Sequence, residues 1–191
     1  MRVIAGSQKG RRLRGPQGPG LRPTSDRVKE ALFSILAPRI DHARFLDLYA
    51  GTGAIGIEAL SRGAQAATFV EPHRASLRVL QANLQLCGLA SKADVRACTA
   101  AAFLKRQTQA ERPYDLVFAD PPYDEIEDGL DLLSALGASA MIAPDCLVVL
   151  EHRSKLVVPP QVGGLVRLRQ YRYGDTTLSM FSRQPEGDHS P

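Results

Sequence analysis

The 191-residue sequence predicts an α/β protein with one mostly parallel β-sheet and helices on both faces. Two features of the chain support this. From Phe45 onward, short apolar runs alternate with helical stretches, the order that crossover connections between parallel strands require. Near the end, two apolar runs are separated only by Gly174-Asp175, a linkage typical of a tight hairpin, so the last strand is predicted to be antiparallel.

The N-terminal region is predicted to be a basic extension followed by a helix. Residues 1–29 contain eight Lys or Arg and one acid, Asp26. Gly, Pro and Arg dominate residues 6–23, which indicates a loop or arm with little regular structure. A helix with a regular apolar stripe should begin at the N-cap candidates 24–26 and end at Pro38. Such concentrated charge favours a polyanionic partner, a solvated basic tail being the alternative.

The remaining elements follow from the alternation of apolar and helical patterns. The strands are predicted at 45–49, 67–71, 94–98, 114–119, 146–151, 165–173 and 176–182. The helices are predicted at about 54–62, 74–87, 100–107 and 126–138. We expect one domain over 1–183, comprising a basic arm and helix (1–37) and a catalytic core (38–183), followed by a flexible tail at 184–191.

Several functional classes are disfavoured by composition. The chain has no run of 18 apolar residues and no secretory leader, so no membrane span is expected and the cytoplasm is the expected location. Cys87, Cys98 and Cys146 match neither a disulfide framework nor a zinc pattern. The histidines have no accompanying Cys or acid pattern, and we expect no metal.

A nucleotide-binding turn is predicted at Gly51-x-Gly53-x-x-Gly56, between a strand and a helix. Glu71 lies 20 residues after Gly51, at the end of the next strand, where its carboxylate can accept hydrogen bonds from both ribose hydroxyls. This pattern fits NAD and S-adenosylmethionine alike.

Asp47 favours S-adenosylmethionine over NAD. It lies four residues before Gly51, a spacing common in methyltransferase nucleotide loops. A carboxylate there would repel the pyrophosphate of NAD, whereas S-adenosylmethionine carries a sulfonium and an ammonium group. The sequence therefore weakens the dinucleotide interpretation.

A second motif, Asp120-Pro121-Pro122-Tyr123, follows the fourth predicted strand. Two prolines fix the backbone and leave carbonyl oxygens without neighbouring N–H donors. The Asp120 carboxylate and the Pro121 carbonyl can accept the two hydrogens of an exocyclic amine, while Tyr123 stacks on the base. Accepting these hydrogens favours a tetrahedral nitrogen with its lone pair available for attack on a methyl carbon.

These motifs resemble those of class I S-adenosylmethionine-dependent methyltransferases that act on exocyclic amines. The front of the chain, RVIAGSQKGRRLRGP followed by LRPTSDRVKEALFSIL, is similar to the N-terminal signature of the bacterial 16S ribosomal RNA guanine-N2 methyltransferases, the RsmD family. The likeness extends from Arg2 to about Arg183. It implies a seven-stranded, Rossmann-like class I fold that methylates one guanine in small-subunit ribosomal RNA, within a partly assembled subunit.

The resemblance also assigns roles to residues. The cofactor would contact Asp47, Tyr49, Gly51, Gly53, Glu71, Thr99 and Ala100. Such enzymes often have Asp or Asn where this chain has Thr99, so the adenine would meet a hydroxyl or the backbone of Ala100. The RNA would contact Lys9, Arg11, Arg12, Arg14, Arg22, Thr24 and Arg27.

Three other functions remain open from the sequence. The DPPY motif does not choose the base, so an adenine-N6 or DNA amino-methyltransferase is the nearest alternative. A nicotinamide-dependent oxidoreductase would leave Asp47 and DPPY unexplained. A non-catalytic RNA-binding assembly factor would leave the intact Asp120 unexplained.

Overall fold

The computed structural model describes residues 1–15, 26–106, 112–122 and 126–183. Its helices are α1 (Asp26–Leu36), α2 (Ala54–Ser61), α3 (Arg74–Leu86), α4 (Ala100–Arg106) and α5 (Ile126–Gly137). Its strands are β1 (Arg44–Asp47), β2 (Ala66–Val70), β3 (Ala93–Arg96), β4 (Tyr114–Ala119), β5 (Ile142–Arg153), β6 (Gln161–Val162), β7 (Leu165–Tyr173) and β8 (Thr176–Arg183). None of these helices is long and apolar enough to cross a membrane.

The strands form one sheet in the order β3-β2-β1-β4-β5-β8-β7-β6. β1 to β5 are parallel, and β8 runs antiparallel to both β5 and β7. Gly174, at φ +63°, is part of the tight turn between β7 and β8, which confirms the predicted hairpin and the antiparallel last strand. The chain order reverses between β1 and β4, so a crevice is expected at the carboxyl ends of these two strands.

The core consists of two apolar layers, one on each face of the sheet. Alternate strand residues such as Phe45 and Phe118 pack against α1, α2 and α3; we call this the first face. The intervening residues, such as Leu46 and Ala119, pack with α4 and α5 on the second face. The period of two along each strand produces this division, and the predicted helices on both faces are confirmed.

Two details of the predicted sheet were wrong. The described residues form eight strands rather than seven, because Gln161–Val162 pairs with the edge of β7. Only two residues long and enclosed by Pro-Pro and Gly-Gly, this strand has no periodicity to detect. β5 also begins at Ile142, before Pro144, and a register shift between Tyr114 and Leu116 accommodates this irregular start.

Candidate active site

The crevice between the carboxyl ends of β1 and β4 is bordered by the two predicted motifs. Asp47 ends β1, and the glycine turn that follows leads into α2. Asp120 follows β4 directly. The fold thus brings together the two motifs, although 73 residues separate these acids in sequence. This is the position at which open α/β sheets bind their ligands.

The glycine turn needs glycine for two reasons. Gly53, the N-cap of α2, has φ +83°, and an added Cβ would lie 2.2 Å from Cδ1 of Leu80. Gly51 has φ +54°, with no atom within 4 Å of its Cβ position. Gly53 therefore lets α2 and α3 approach each other, while Gly51 leaves open space over the turn for a ligand.

Asp47 is buried and braces this turn. Its Oδ2 accepts a hydrogen bond from the backbone N–H of Gly56 (3.1 Å), and the backbone N–H of Tyr49 also donates to the carboxyl group. Burial nevertheless raises its pKa from 3.8 to about 7, with smaller contributions from the charges of Asp120 and Glu71. Asp47 therefore supports the glycine turn, and its contact with the cofactor stays a prediction.

Glu71 follows β2 and is held by its neighbours. Its Oε2 accepts a hydrogen bond from the backbone N–H of Gly51 (2.9 Å). Its Oε1 accepts one from the backbone N–H of His73 (2.8 Å) and lies 2.8 Å from Nδ1 of the His73 ring. A carboxylate has about four lone-pair sites, so Glu71 still has capacity for a ligand hydroxyl. The ribose contact stays a prediction.

The predicted amine site is described only as far as residue 122. Asp120 is half-buried, Pro121 is buried and Pro122 is exposed. Burial raises the pKa of Asp120 from 3.8 to about 7. Tyr123 lies outside the described residues, so its stacking stays a prediction.

Glu151 is a site residue that the sequence analysis missed. Leu150 pairs with Ala119 between β5 and β4, so the following residues, Glu151 and Asp120, are also neighbours across the two strands. Glu151 is 5% exposed, and its Oε2 has no hydrogen-bond partner among the described residues. Burial and the charge of Asp120 raise its pKa from 4.5 to about 8. The only sequence signal was an acid ending the apolar run CLVVLE.

Four carboxyl groups therefore gather at the carboxyl edge of the sheet. Asp47, Glu71, Asp120 and Glu151 all lie at positions whose side chains, by strand alternation, face the first face. Burial keeps three of these groups, Asp47, Asp120 and Glu151, partly or mostly protonated near pH 7. A ligand that carries positive charge favours their ionised forms and is attracted by them, whereas a pyrophosphate is repelled by any that are ionised.

Thr99 has a structural role that the sequence analysis did not anticipate. Its Oγ1 accepts a hydrogen bond from the backbone N–H of Ala102 (3.2 Å), so the hydroxyl caps the start of α4. Thr99 is exposed, whereas Ala100 is buried in the first turn of the helix.

The first 15 residues are packed against the rest of the chain, which the sequence did not predict. They contain little regular structure, with a single antiparallel bridge from Arg2 to Arg12 among the described residues. Yet the backbone N–H of Val3 donates to the carbonyl of Arg11, and the side chains of Val3 and Leu13 enter the core. We call residues 1–15 the docked segment.

The predicted RNA-contacting cations on the described part of the chain all reach solvent. Lys9, Arg11, Arg12 and Arg14 are exposed on the docked segment, and Arg27 is exposed at the start of α1. Arg22 and Thr24 lie outside the described residues. The docked segment therefore presents four exposed cations on a backbone that is held against the domain.

A buried carboxylate on α2 anchors the docked segment. Glu58 accepts hydrogen bonds from the backbone N–H groups of Ile4 (2.8 Å) and Ala5 (2.9 Å). It also pairs with Lys29 (Nζ to Oε2, 3.3 Å) and Arg62 (Nε to Oε1, 2.8 Å). The exposed fractions of the Glu58 and Lys29 side chains are 0% and 1%. The only charged residue of α2, Glu58, was the signal for this anchor.

Asn83 links the docked segment to the glycine turn. Its Oδ1 accepts a hydrogen bond from the backbone N–H of Arg14 (2.8 Å), and its Nδ2 donates to the carbonyl of Thr52 (3.0 Å). The exposed cations are therefore attached, through one buried amide, to the turn that borders the crevice.

Comparison with known proteins gives matches along nearly the whole chain. The model of a family described as conserved hypothetical protein 95 matches residues 1–182. Ribosomal RNA small subunit methyltransferase D of Escherichia coli is 37% identical over 190 residues, which cover 98% of this chain and 92% of that one. A solved structure of a methyltransferase candidate from Escherichia coli has a TM-score of 0.84 at 33% identity and covers 97% and 99% of the two chains. A hypothetical protein from Thermus thermophilus has a TM-score of 0.81 at 30% identity, covering 95% and 99%.

Proposed function

We propose a specific reaction for this chain, which belongs to the conserved hypothetical protein 95 family and is related to ribosomal RNA small subunit methyltransferase D. It methylates N2 of one guanine in small-subunit ribosomal RNA, with S-adenosylmethionine as the methyl donor. The observation that carries the proposal is the acceptor corner at Asp120-Pro121 beside an acidic crevice. The similarity to a ribosomal RNA methyltransferase, which extends over 98% of this chain, supports ribosomal RNA as the substrate.

The crevice fits S-adenosylmethionine by charge and by shape. Asp47 and Glu71 contact the glycine turn, Asp120 follows β4, and the space above Gly51 is open. Asp47, Tyr49, Gly51 and Gly53 would hold the amino-acid end, Glu71 the ribose, and Thr99 and Ala100 the adenine. The cofactor supplies a methyl group activated by a sulfonium. NAD would place a pyrophosphate among the carboxylates, so the oxidoreductase alternative is disfavoured.

Asp120 and Pro121 would prepare the amine. The lone pair of a guanine N2 is delocalised into the ring, so the nitrogen is a weak nucleophile. The Asp120 carboxylate and the Pro121 carbonyl accept its two hydrogens, and this favours a tetrahedral nitrogen with a directed lone pair. When N2 gains a methyl group it must lose a proton, and a carboxylate whose pKa is about 7 is suited to accept it. Tyr123 would stack on the base.

The docked segment would hold the RNA near the crevice. Lys9, Arg11, Arg12, Arg14 and Arg27 are exposed cations, and with Arg22 and Thr24 they would contact the phosphate backbone. If about five phosphates are engaged, the logarithm of affinity should fall with log salt at a slope of about −3.5 to −4.5. We further propose that 1–183 acts as one domain, in the cytoplasm, on a partly assembled small subunit.

Nucleoside analysis tests the function directly. Small-subunit RNA from a strain lacking this gene is incubated with the protein and isotopically labelled S-adenosylmethionine, digested and examined by mass spectrometry. We expect label in N2-methylguanosine alone. Label in N6-methyladenosine, or in DNA offered in parallel, would support the amino-methyltransferase alternative. If neither naked small-subunit RNA nor assembling particles acquired label, the protein would be a non-catalytic assembly factor.

A further inference from the structure

Glu151 is a buried acid at the active site to which the proposed reaction assigns no role. Asp120 and Glu151 follow the paired residues Ala119 and Leu150 of adjacent parallel strands. The side chains of Ala119 and Leu150 both lie on the second face of the sheet. The side chain of the next residue on each strand therefore lies on the first face. Neighbouring strands lie about 4.8 Å apart, so the two carboxyl groups border the same space.

The hydrogen bonding of Glu151 is incomplete. Its side chain is 5% exposed, and Oε2 has no partner among the described residues. A buried polar atom normally has a hydrogen-bond partner, and an atom without one is explained by strain, by function or by a bound group. Across the two strands, Glu151 is the neighbour of Asp120, the residue that would hold the reacting amine.

Guanine offers a matching edge beside its amine. Next to N2, the ring carries the N1–H donor, followed by the O6 acceptor. A neutral carboxylic acid has one carbonyl acceptor and one O–H donor, and so forms two hydrogen bonds with this edge. Burial raises the pKa of Glu151 to about 8, which leaves the acid mostly neutral at pH 7. Ionised, it would still accept from N1–H.

We propose that Glu151 is a base-binding residue that selects guanine. Its carboxyl group accepts a hydrogen bond from N1–H and donates one to O6, while the N2 amine donates to Asp120 and Pro121. This inference rests on the proposed function. Adenine presents an unprotonated N1 beside its amine and then only C2–H, so it forms at most one of the two hydrogen bonds. Glu151 would thus supply the choice of base that the DPPY motif does not make.

The test compares two variants of the full-length protein. Glu151→Gln keeps one acceptor and one donor, whereas Glu151→Met removes both at similar size. Once the modified nucleotide is mapped, RNA fragments carry either guanine or 2-aminopurine there. 2-Aminopurine has the amine but lacks N1–H and O6. Methylation rates, S-adenosylhomocysteine affinity and melting temperature are measured for each protein.

We expect the wild-type protein to prefer guanine over 2-aminopurine by about 10-fold or more, and Glu151→Gln to keep that preference. Glu151→Met should lose it, with unchanged S-adenosylhomocysteine affinity. Its melting temperature should not fall, because an acid with an unpartnered oxygen has been replaced by an apolar side chain.

Three results would overturn the inference: an unchanged preference in Glu151→Met, a lost preference in Glu151→Gln, or a parallel fall in S-adenosylhomocysteine affinity, which would place Glu151 in the cofactor pocket. Failure of the proposed function is a separate result, because wild-type protein would then leave guanine unmethylated.

Discussion

Asp120 and Glu151 show how the fold sets the chemistry of single residues. Glu151 is buried, Asp120 is half-buried, and the two acids follow paired residues of adjacent strands, so ionisation of one makes ionisation of the other costlier. The site therefore holds acids that stay partly protonated near neutral pH. In isolated peptides both would be fully ionised there.

The raised pKa of Asp120 predicts a pH-dependent effect on stability. Below pH 3.8 the carboxyl group is protonated in the folded and unfolded chains alike. Between pH 3.8 and about 7 the unfolded chain loses this proton first, so the folded state is increasingly disfavoured as pH rises. Asp120→Asn lacks this penalty. Thermal denaturation should show a larger gain in melting temperature for Asp120→Asn at pH 8 than at pH 4.5.

A gain that is equal at both pH values would show that the Asp120 carboxyl group titrates normally. Because the comparison is made between two proteins at each pH, contributions from ionisable groups that do not interact with Asp120 cancel. Asp47 and Glu151, whose pKa values the charge of Asp120 raises, would add to the gain in the same direction. The groups that cancel are the remaining ones. These include His152, whose pKa is lowered by burial.

At the scale of elements, the docked segment is held in place by side chains of α2 and α3 rather than by regular secondary structure of its own. Removing the Glu58 charge should leave Lys29 buried without its partner. Glu58→Gln is therefore expected to lower the free energy of unfolding by about 3–5 kcal/mol, measured by urea denaturation. Asp145→Asn is the matched control, because its ion pair with Arg39 is exposed and should contribute about 0–1 kcal/mol. Equal losses in both variants would contradict the anchoring role.

The cations of the docked segment predict a salt effect on RNA binding. Changing Arg11, Arg12 and Arg14 to Ala should make the slope of log affinity against log salt shallower by about 2–3, measured with small-subunit RNA. S-adenosylhomocysteine affinity should not change. The control replaces Lys92, Lys105 and Arg106, three exposed cations outside the docked segment, the last two of them on α4 of the second face. An unchanged slope in the first variant would remove the proposed role of the segment.

Elements with a repeating pattern could be predicted from the sequence, and those fixed by long-range contacts could not. The alternation after Phe45 is a local signal, and so are the glycine turn and the Gly174-Asp175 hairpin. The docking of residues 1–15 depends on Glu58 and Asn83, which lie far away in sequence. Glu151 belongs to the site only because β5 lies beside β4. No periodicity encodes such neighbours.

At the scale of the whole molecule, cationic and acidic side chains are concentrated in two different regions. Exposed cations lie along the docked segment and the start of α1, whereas acids gather in the crevice. This arrangement would attract a polyanion to one surface and a cationic cofactor to the other. Asn83 joins the two regions through Arg14 and Thr52.

The acidic crevice predicts which cofactor stabilises the protein. S-adenosylhomocysteine keeps the ammonium and ribose groups, and at 100 times its dissociation constant it should add about 2.7 kcal/mol to the stability. NAD should have no effect, because its pyrophosphate would face Asp47, Glu71 and Asp120. Thermal denaturation with each ligand checks this. Stabilisation by NAD but not by S-adenosylhomocysteine would contradict the proposed cofactor.

The central claim is that the corner at Asp120 and Pro121 positions an exocyclic amine for methyl transfer. Its most direct test measures cofactor binding and methyl transfer to small-subunit RNA in Asp120→Ala. The proposed mechanism predicts S-adenosylhomocysteine affinity close to that of the wild-type protein and a transfer rate lower by about 100-fold or more. Near-normal methyl transfer in this variant would contradict it.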